Sequence, residues 1–433
     1  MIVLSGADLV LPDRIVPAGT LVIDGDRIAD IRPDGTASLR GHTIVPGLID
    51  VHVHGVDGVD SLDPESATHA AGGAEPADGP VHAIAAALPR YGVTAFCPTT
   101  TACSPEVLAR LLGQVRRARE SPSPRSARVL PAHLESNFIN PAYRGAQPAS
   151  CLRQVGRGLQ GGRGGQVGRD GQDGQDGRDG QDGLDGISGR FTADDILREI
   201  ERAGRDVGIV TLAPELDGGM DLIGWLTKRG LRVSLGHSGA TYEQALAAIA
   251  AGARRATHLF NCMPALHHRT PTLPTAILDS HEVAAEVICD GVHVHPAVVR
   301  MVIATKGPHR IMAITDGTSA SGLPVGARAS LGGRTITAGE SAAFLDDGTL
   351  AGSVMTMDRV LRALVVQMGV PLDHAVTMCS AAPARELGLD GQGAIAPGGL
   401  ADLVVLDRHL SVVETYVGGR LVYSRNTGPA VSV

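Results

Sequence analysis

The chain has 433 residues, 43% of them hydrophobic and only 3% aromatic, so it can hold a barrel plus a small module around an aliphatic core. A net charge of −8 leaves no basic surplus to neutralise phosphates, which excludes nucleic acid as an obvious partner. Six scattered cysteines without a C-x-x-C pair, and no apolar run of about 18 residues, exclude a disulfide framework and a membrane span. They predict a soluble cytoplasmic protein with reduced thiols.

The first 45 residues read as short strands and turns: Ile2–Leu4, Leu21–Asp26 and Arg27–Ile31, with Asp24-Gly25 as a hairpin signal. The last 40 residues read alike, with strands at Ala401–Leu406 and Val412–Val417 and a turn at Gly418-Gly419. Two β-rich ends predict a small β-sandwich domain assembled from residues 1–45 and 393–433, flanking a different middle at 46–392.

That middle alternates apolar runs with helical stretches such as Tyr242–Ala251 and Pro296–Thr305. Eight runs end, in order, at His52/His54, Thr99, Glu135, Glu215, His237, His258, Asp290 and Asp316. Strand then helix, eight times, predicts an α/β fold, a (β/α)8 barrel, whose reactive groups lie at the C-terminal ends of the strands. All these ends except Thr99 carry a His or a carboxylate, where turn residues such as Gly, Asn or Ser are the common choice.

From Gly165 to Gly189 a glycine recurs at every third residue. The period is that of collagen, but the stretch lacks proline, and calcium-binding Gly/Asp repeats have longer periods. Residues 156–190 therefore read as a disordered insertion, dispensable for catalysis. A deletion of 160–188 that folds but loses all turnover would contradict this.

His52 and His54 are two apart in a strand, so their imidazoles project to one face. Two convergent imidazoles suit a borderline divalent metal. With Glu135, His237, His258 and Asp316 they make six groups at one barrel mouth, enough for one or two divalent ions. Zinc fits first, and iron, manganese or cobalt also accept such donors. Each histidine alone reads equally as a hydrogen-bonded polar strand end, and Glu135 or Asp316 alone as a helix cap or surface charge.

The chain resembles the N-acetylglucosamine-6-phosphate deacetylase family of the amidohydrolase superfamily. The motifs that carry the resemblance are Pro46–Gly55, His133-Leu134-Glu135, Leu212–Glu215, Gly236–Thr241, Thr257–Pro264, Asp290–Val294, Thr315-Asp316-Gly317 and Leu350–Ser353. It runs over nearly the whole length apart from the Gly-rich insertion. By the match, Glu135, His237 and His258 are the main metal ligands, and His52 and His54 hold a second ion in those members that have one. Asp316 matches the acid/base, which takes a proton from the attacking water and passes it to the departing nitrogen. His293 matches the group that polarises the carbonyl and stabilises the oxyanion. Ring-opening amidohydrolases share His-x-His but bridge two metals with a carboxylated lysine on strand four. Ile209–Glu215 holds no lysine, so Glu135 would do the bridging.

The resemblance also implies that Asn261, the backbone N–H of Cys262, His267 and Arg269 bind substrate, the arginine reaching the site of the partner subunit in a homodimer. Arg suits this because its planar fork grips phosphate oxygens. The chain departs from the family pattern at Ser136-Asn137, where Gly-Pro is usual, and at Thr270-Pro271-Thr272, where Glu-Pro-Gly is usual. The expected activity is hydrolysis of the N-acetyl amide of an amino sugar, N-acetylglucosamine 6-phosphate first. The alternative is a related N-acylated amino sugar or glycoside from a biosynthetic pathway. Rival classes are a binuclear phosphoesterase and a non-catalytic binding protein that keeps the fold.

Overall fold

The computed structural model describes residues 1–33, 37–66, 79–156 and 191–426. The glycine repeat of 165–189 lies outside the described residues.

Eight parallel strands follow one another around a barrel: Leu48–Val53, Val93–Thr100, Ala132–Glu135, Val207–Leu212, Arg232–Leu235, Arg255–Ala256, Ala284–Ile288 and Ile311–Ile314. They coincide with the eight apolar runs of the sequence. The barrel closes where Val53 bridges Gly317 in parallel and the N–H groups of His54 and Gly55 donate to the Gly317 carbonyl, at 2.8 and 3.0 Å. Alternation along the strands separates two environments. In strand four, Val210 and Leu212 join the large apolar core shared with the outer helices, whereas Ile209 packs in a second cluster with Ile49, Ile288 and Met312. Thr211, on the face of Ile209, bonds to His133 and Thr257.

Both chain ends build a separate seven-stranded sheet, ordered Arg420–Ser424, Val412–Val417, Leu403–Leu406, Thr43–Pro46, Ile2–Val10, Ile15–Asp24, Arg27–Arg32. Val404 pairs with Val45 at the seam between the two ends. The two expected turns are there: Gly25 has φ 60°, and Gly418 and Gly419 have φ 54° and 70°. These are left-handed conformations that glycine adopts without strain. Sequence reading missed a four-stranded antiparallel sheet after barrel strand eight, Arg328–Leu331, Arg334–Ala338, Ala342–Leu345 and Leu350–Ser353. Its last strand meets the site, because Ser353 N donates to the Asp316 carbonyl at 2.9 Å.

Candidate metal centre

Strand one delivers His52 and His54, strand three Glu135, and the residues two beyond strands five, six and eight deliver His237, His258 and Asp316. All six are buried. His237, His258 and Asp316 hold φ of 47°, 28° and 48°, conformations that non-glycine residues rarely adopt. Such strain persists only where the surroundings over-determine it, and it concentrates at functional sites.

Two triads share this space: Glu135, His237 and His258, and then His52, His54 and Asp316. Glu135 Oε1 lies 2.8 Å from both His237 Nε2 and His258 Nε2, and those two nitrogens are 3.0 Å apart. In the second triad His52 Nε2 and His54 Nε2 are 3.2 Å apart, each 3.3 Å from Asp316 Oδ1. Glu135 joins the two, with Oε2 3.5 Å from His54 Nε2.

The surrounding contacts decide which ring nitrogen faces inward. His237 Nδ1 donates to the Tyr143 carbonyl at 2.8 Å, and His52 Nδ1 donates to Glu286 Oε2 at 3.0 Å. In the neutral ring each contact leaves Nε2 as the acceptor facing the centre, the arrangement a metal requires.

Charge tells the same story. Burial works against a proton on His52, yet Asp316, Glu286 and Glu135 outweigh it and hold the imidazole up at about 9. Burial also opposes ionisation of Asp316 and Glu135, but the facing histidines hold both carboxyls well below the usual range. Buried, ionised carboxylates that draw protons onto neighbouring imidazoles mark a space that stabilises positive charge. These donors fit a divalent ion in either triad.

Other residues build the walls. Gln147 is buried between the Glu135 carboxylate, to which its Nε2 donates, and the Ala102 N–H, which donates to its Oε1 at 2.7 Å. Glu215 accepts from Ser238 Oγ at 2.7 Å, Gly239 N at 2.6 Å and Asn140 Nδ2 at 2.8 Å, fixing the loop that carries His237. At Gly145, with φ 56°, a Cβ would fall 2.7 Å from Cys262 Sγ, so only glycine lets this loop approach Cys262 beside His237.

Sequence reasoning missed Gln147, Tyr143 and Glu286. A glutamate inside the otherwise apolar run Ala284–Ile288 was the visible signal for the last. His133, noted only as part of a motif, is spent on the fold: its nitrogens contact the Val51 carbonyl at 3.0 Å and Thr211 Oγ1 at 2.8 Å.

His293 sits on the loop after strand seven. Asp290 accepts from its backbone N–H at 2.9 Å and meets its Nδ1 at 2.6 Å, fixing the ring. Asn261 and Cys262 follow His258 in a segment with φ of 28° at His258, 80° at Phe260 and 52° at Cys262. Beyond it the loop is exposed, and it carries His267 and Arg269 outside the buried six; Arg269 Nη1 contacts His268 Nε2 at 2.8 Å.

Ser136 and Asn137, where the chain departs from the family pattern, both make hydrogen bonds that shape the loop. Both residues are buried. Asn137 Nδ2 donates to the carbonyls of Cys103 and Cys151, each at 2.7 Å, and Phe138 N donates to Ser136 Oγ at 3.1 Å. The pair ties the strand-three loop to its neighbours.

The amidohydrolase family matches residues 226–422. The chain is 32% identical to N-acetylglucosamine-6-phosphate deacetylase of Vibrio furnissii, over 94% of this chain and 88% of that protein. It is 31% identical to N-acetylgalactosamine-6-phosphate deacetylase of Escherichia coli O157:H7, over 87% of each. Among solved structures it resembles a variant of N-acetyl-D-glucosamine-6-phosphate deacetylase from Mycobacterium smegmatis in complex with N-acetyl-D-glucosamine-6-phosphate. There the TM-score is 0.79 and the identity 28%, covering 98% of this chain and 99% of the other.

Proposed function

The chain belongs to the N-acetylglucosamine-6-phosphate deacetylase family of amidohydrolases, and from that premise we propose that it hydrolyses N-acetylglucosamine 6-phosphate to acetate and the free amine. It is accordingly a hydrolase of amide bonds. The observation that carries the proposal is the pair of buried triads, joined by Glu135, at the barrel mouth.

Glu135, His237 and His258 would hold one divalent ion, and His52, His54 and Asp316 a second. Zinc suits these donors best, with iron, manganese or cobalt as alternatives. A bound divalent ion supplies Lewis acidity and an activated water. The chain does the rest. Asp316, ionised in this setting, accepts the proton of the attacking water and delivers it to the departing nitrogen. His293, held through Nδ1 by Asp290, turns Nε2 towards the place of the carbonyl oxygen, which it would polarise.

The family match would have Asn261, the Cys262 N–H and His267 hold the phosphate, from a segment whose backbone is left-handed at His258, Phe260 and Cys262. Arg269, exposed on its loop, is free to reach a partner's site in a homodimer. The sheet order supports a division into 1–45 with 393–433 and the barrel of 46–392. No helix among the described residues is long and apolar enough to cross a membrane, and the six free cysteines suit a cytoplasmic setting.

The test is release of amine and of inorganic phosphate, measured side by side on the 6-phosphates of N-acetylglucosamine and N-acetylgalactosamine with zinc-loaded protein. Amine from the glucosamine compound supports the proposal. Preference for its epimer moves the substrate, and phosphate release would replace the reaction class.

A further inference from the structure

Glu286 lies in barrel strand seven, fully buried, and has no part in the chemistry above. Arg255, in strand six, is also buried, without an ion pair to Glu286 among the described residues. Removing two such groups from water is costly, and well-packed apolar residues would serve stability at least as well. A buried Glu and Arg inside a barrel therefore call for another reason.

The contacts of the imidazoles supply it. At the first triad, Tyr143 fixes His237 through Nδ1. At the second, His54 Nδ1 has no hydrogen-bond partner, and His52 Nδ1 meets Glu286 Oε2 at 3.0 Å. Among the described residues, that is the contact which orients an imidazole of the second triad through Nδ1. His133 does not compete for the carboxylate, because its Nδ1 lies 3.9 Å from Glu286 Oε1 and 3.0 Å from the Val51 carbonyl.

We propose that Glu286 is a positioning residue: by accepting the Nδ1 hydrogen of His52 it presents Nε2 to the ion held with His54 and Asp316, and so sets whether the barrel loads two ions or one. Burial opposes ionisation of Glu286, but His133, His52 and, more weakly, Arg255 hold its carboxyl below the usual range. The inference rests on the metal reading above but not on the substrate.

The experiment strips the full-length protein of metal, reloads it with zinc, counts ions per subunit, and measures affinities by chelator competition. Wild type holds two ions. Glu286→Gln keeps the first at wild-type affinity and weakens the second about 10- to 100-fold, the usual cost of losing such a supporting contact. His52→Asn loses the same ion, and adding Glu286→Gln to it changes nothing further. If Glu286→Gln fails to fold, the apolar pair Arg255→Met with Glu286→Met replaces it and still loses the second ion alone. Equal weakening of both ions, unchanged loading, or a further loss in the double variant overturns the proposal. So does a wild type that binds fewer than two. A wild type that binds two ions yet releases no amine removes the proposed function and leaves this inference standing.

Discussion

Thr315 Oγ1 donates a 2.6 Å hydrogen bond to Asp50 Oδ2, tying the last barrel strand to the first directly beneath the cluster. The same hydroxyl accepts from Gly317 N at 3.0 Å, so it also shapes the turn that carries Asp316. Burial pushes the Asp50 carboxyl up to about 6, although Thr315 and two backbone N–H groups pull the other way. Thr315→Val removes the strongest of those supports and should cost about 1–3 kcal/mol, measured by denaturant unfolding. The pH dependence has a definite sign. Between about 3.8, the ordinary value, and about 6, folded Asp50 keeps a proton that the unfolded chain has lost. Its contribution to stability therefore falls as pH rises through that window. In Thr315→Val the fall should extend to higher pH, and an unchanged profile would remove Asp50 as its source.

Asp316→Asn should lower kcat by about 100- to 10,000-fold, the usual range for a lost proton-transfer group. The ion held by Glu135, His237 and His258 should remain, because none of those side chains is altered. Turnover and metal content on the same preparation check both halves. Retained turnover removes Asp316 as the proton carrier.

Gly352, at φ 71°, lets the four-stranded sheet approach the Asp316 turn: a Cβ there would lie 2.8 Å from the Asp316 carbonyl oxygen. That neighbour is backbone and cannot swing aside. Gly352→Ala should destabilise the fold by about 1–3 kcal/mol and lower kcat by displacing Asp316. A variant with normal melting temperature and turnover would show that the turn is not held from this side.

Lys306 donates from Nζ to the carbonyls of Ile277 and Ser280, each at 2.7 Å. Burial, helped by Arg310, pushes its ammonium down to about 8, against an ordinary 10.5. Between those values the unfolded chain binds the proton and the folded one does not, so this group makes stability rise with pH across the window. Lys228 is the other lysine of the chain, so NMR of the two side-chain resonances reads the titration directly. A Lys306 midpoint near 10.5 would contradict it.

The barrel and the six central groups were legible because all the apolar runs but the one ending at Thr99 end on a His or a carboxylate, and strand ends in this fold face one mouth. His237, His258 and Asp316 lie two residues past their strands, so the ends of the runs marked them well even where strand six is just Arg255-Ala256. Glu286 and Arg255 were not legible in that way. They sit within strands, and their meaning depends on which side chains cross the barrel interior. Gln147 and Tyr143 act from a loop whose path is set by Asn137 and Gly145, contacts no local pattern encodes. The sheet of 328–353 had turn signals at Gly332-Gly333 and Asp347-Gly348, but its strands of four or five residues carry little periodicity.

The phosphate grip is read most directly from kcat/KM for amine release from N-acetylglucosamine 6-phosphate against unphosphorylated N-acetylglucosamine, with wild type and Arg269→Ala, both metal-loaded. The wild type should strongly prefer the phosphorylated sugar, and Arg269→Ala should lose that preference through a higher KM with kcat largely kept. Equal turnover of both sugars, or none of either, would contradict it.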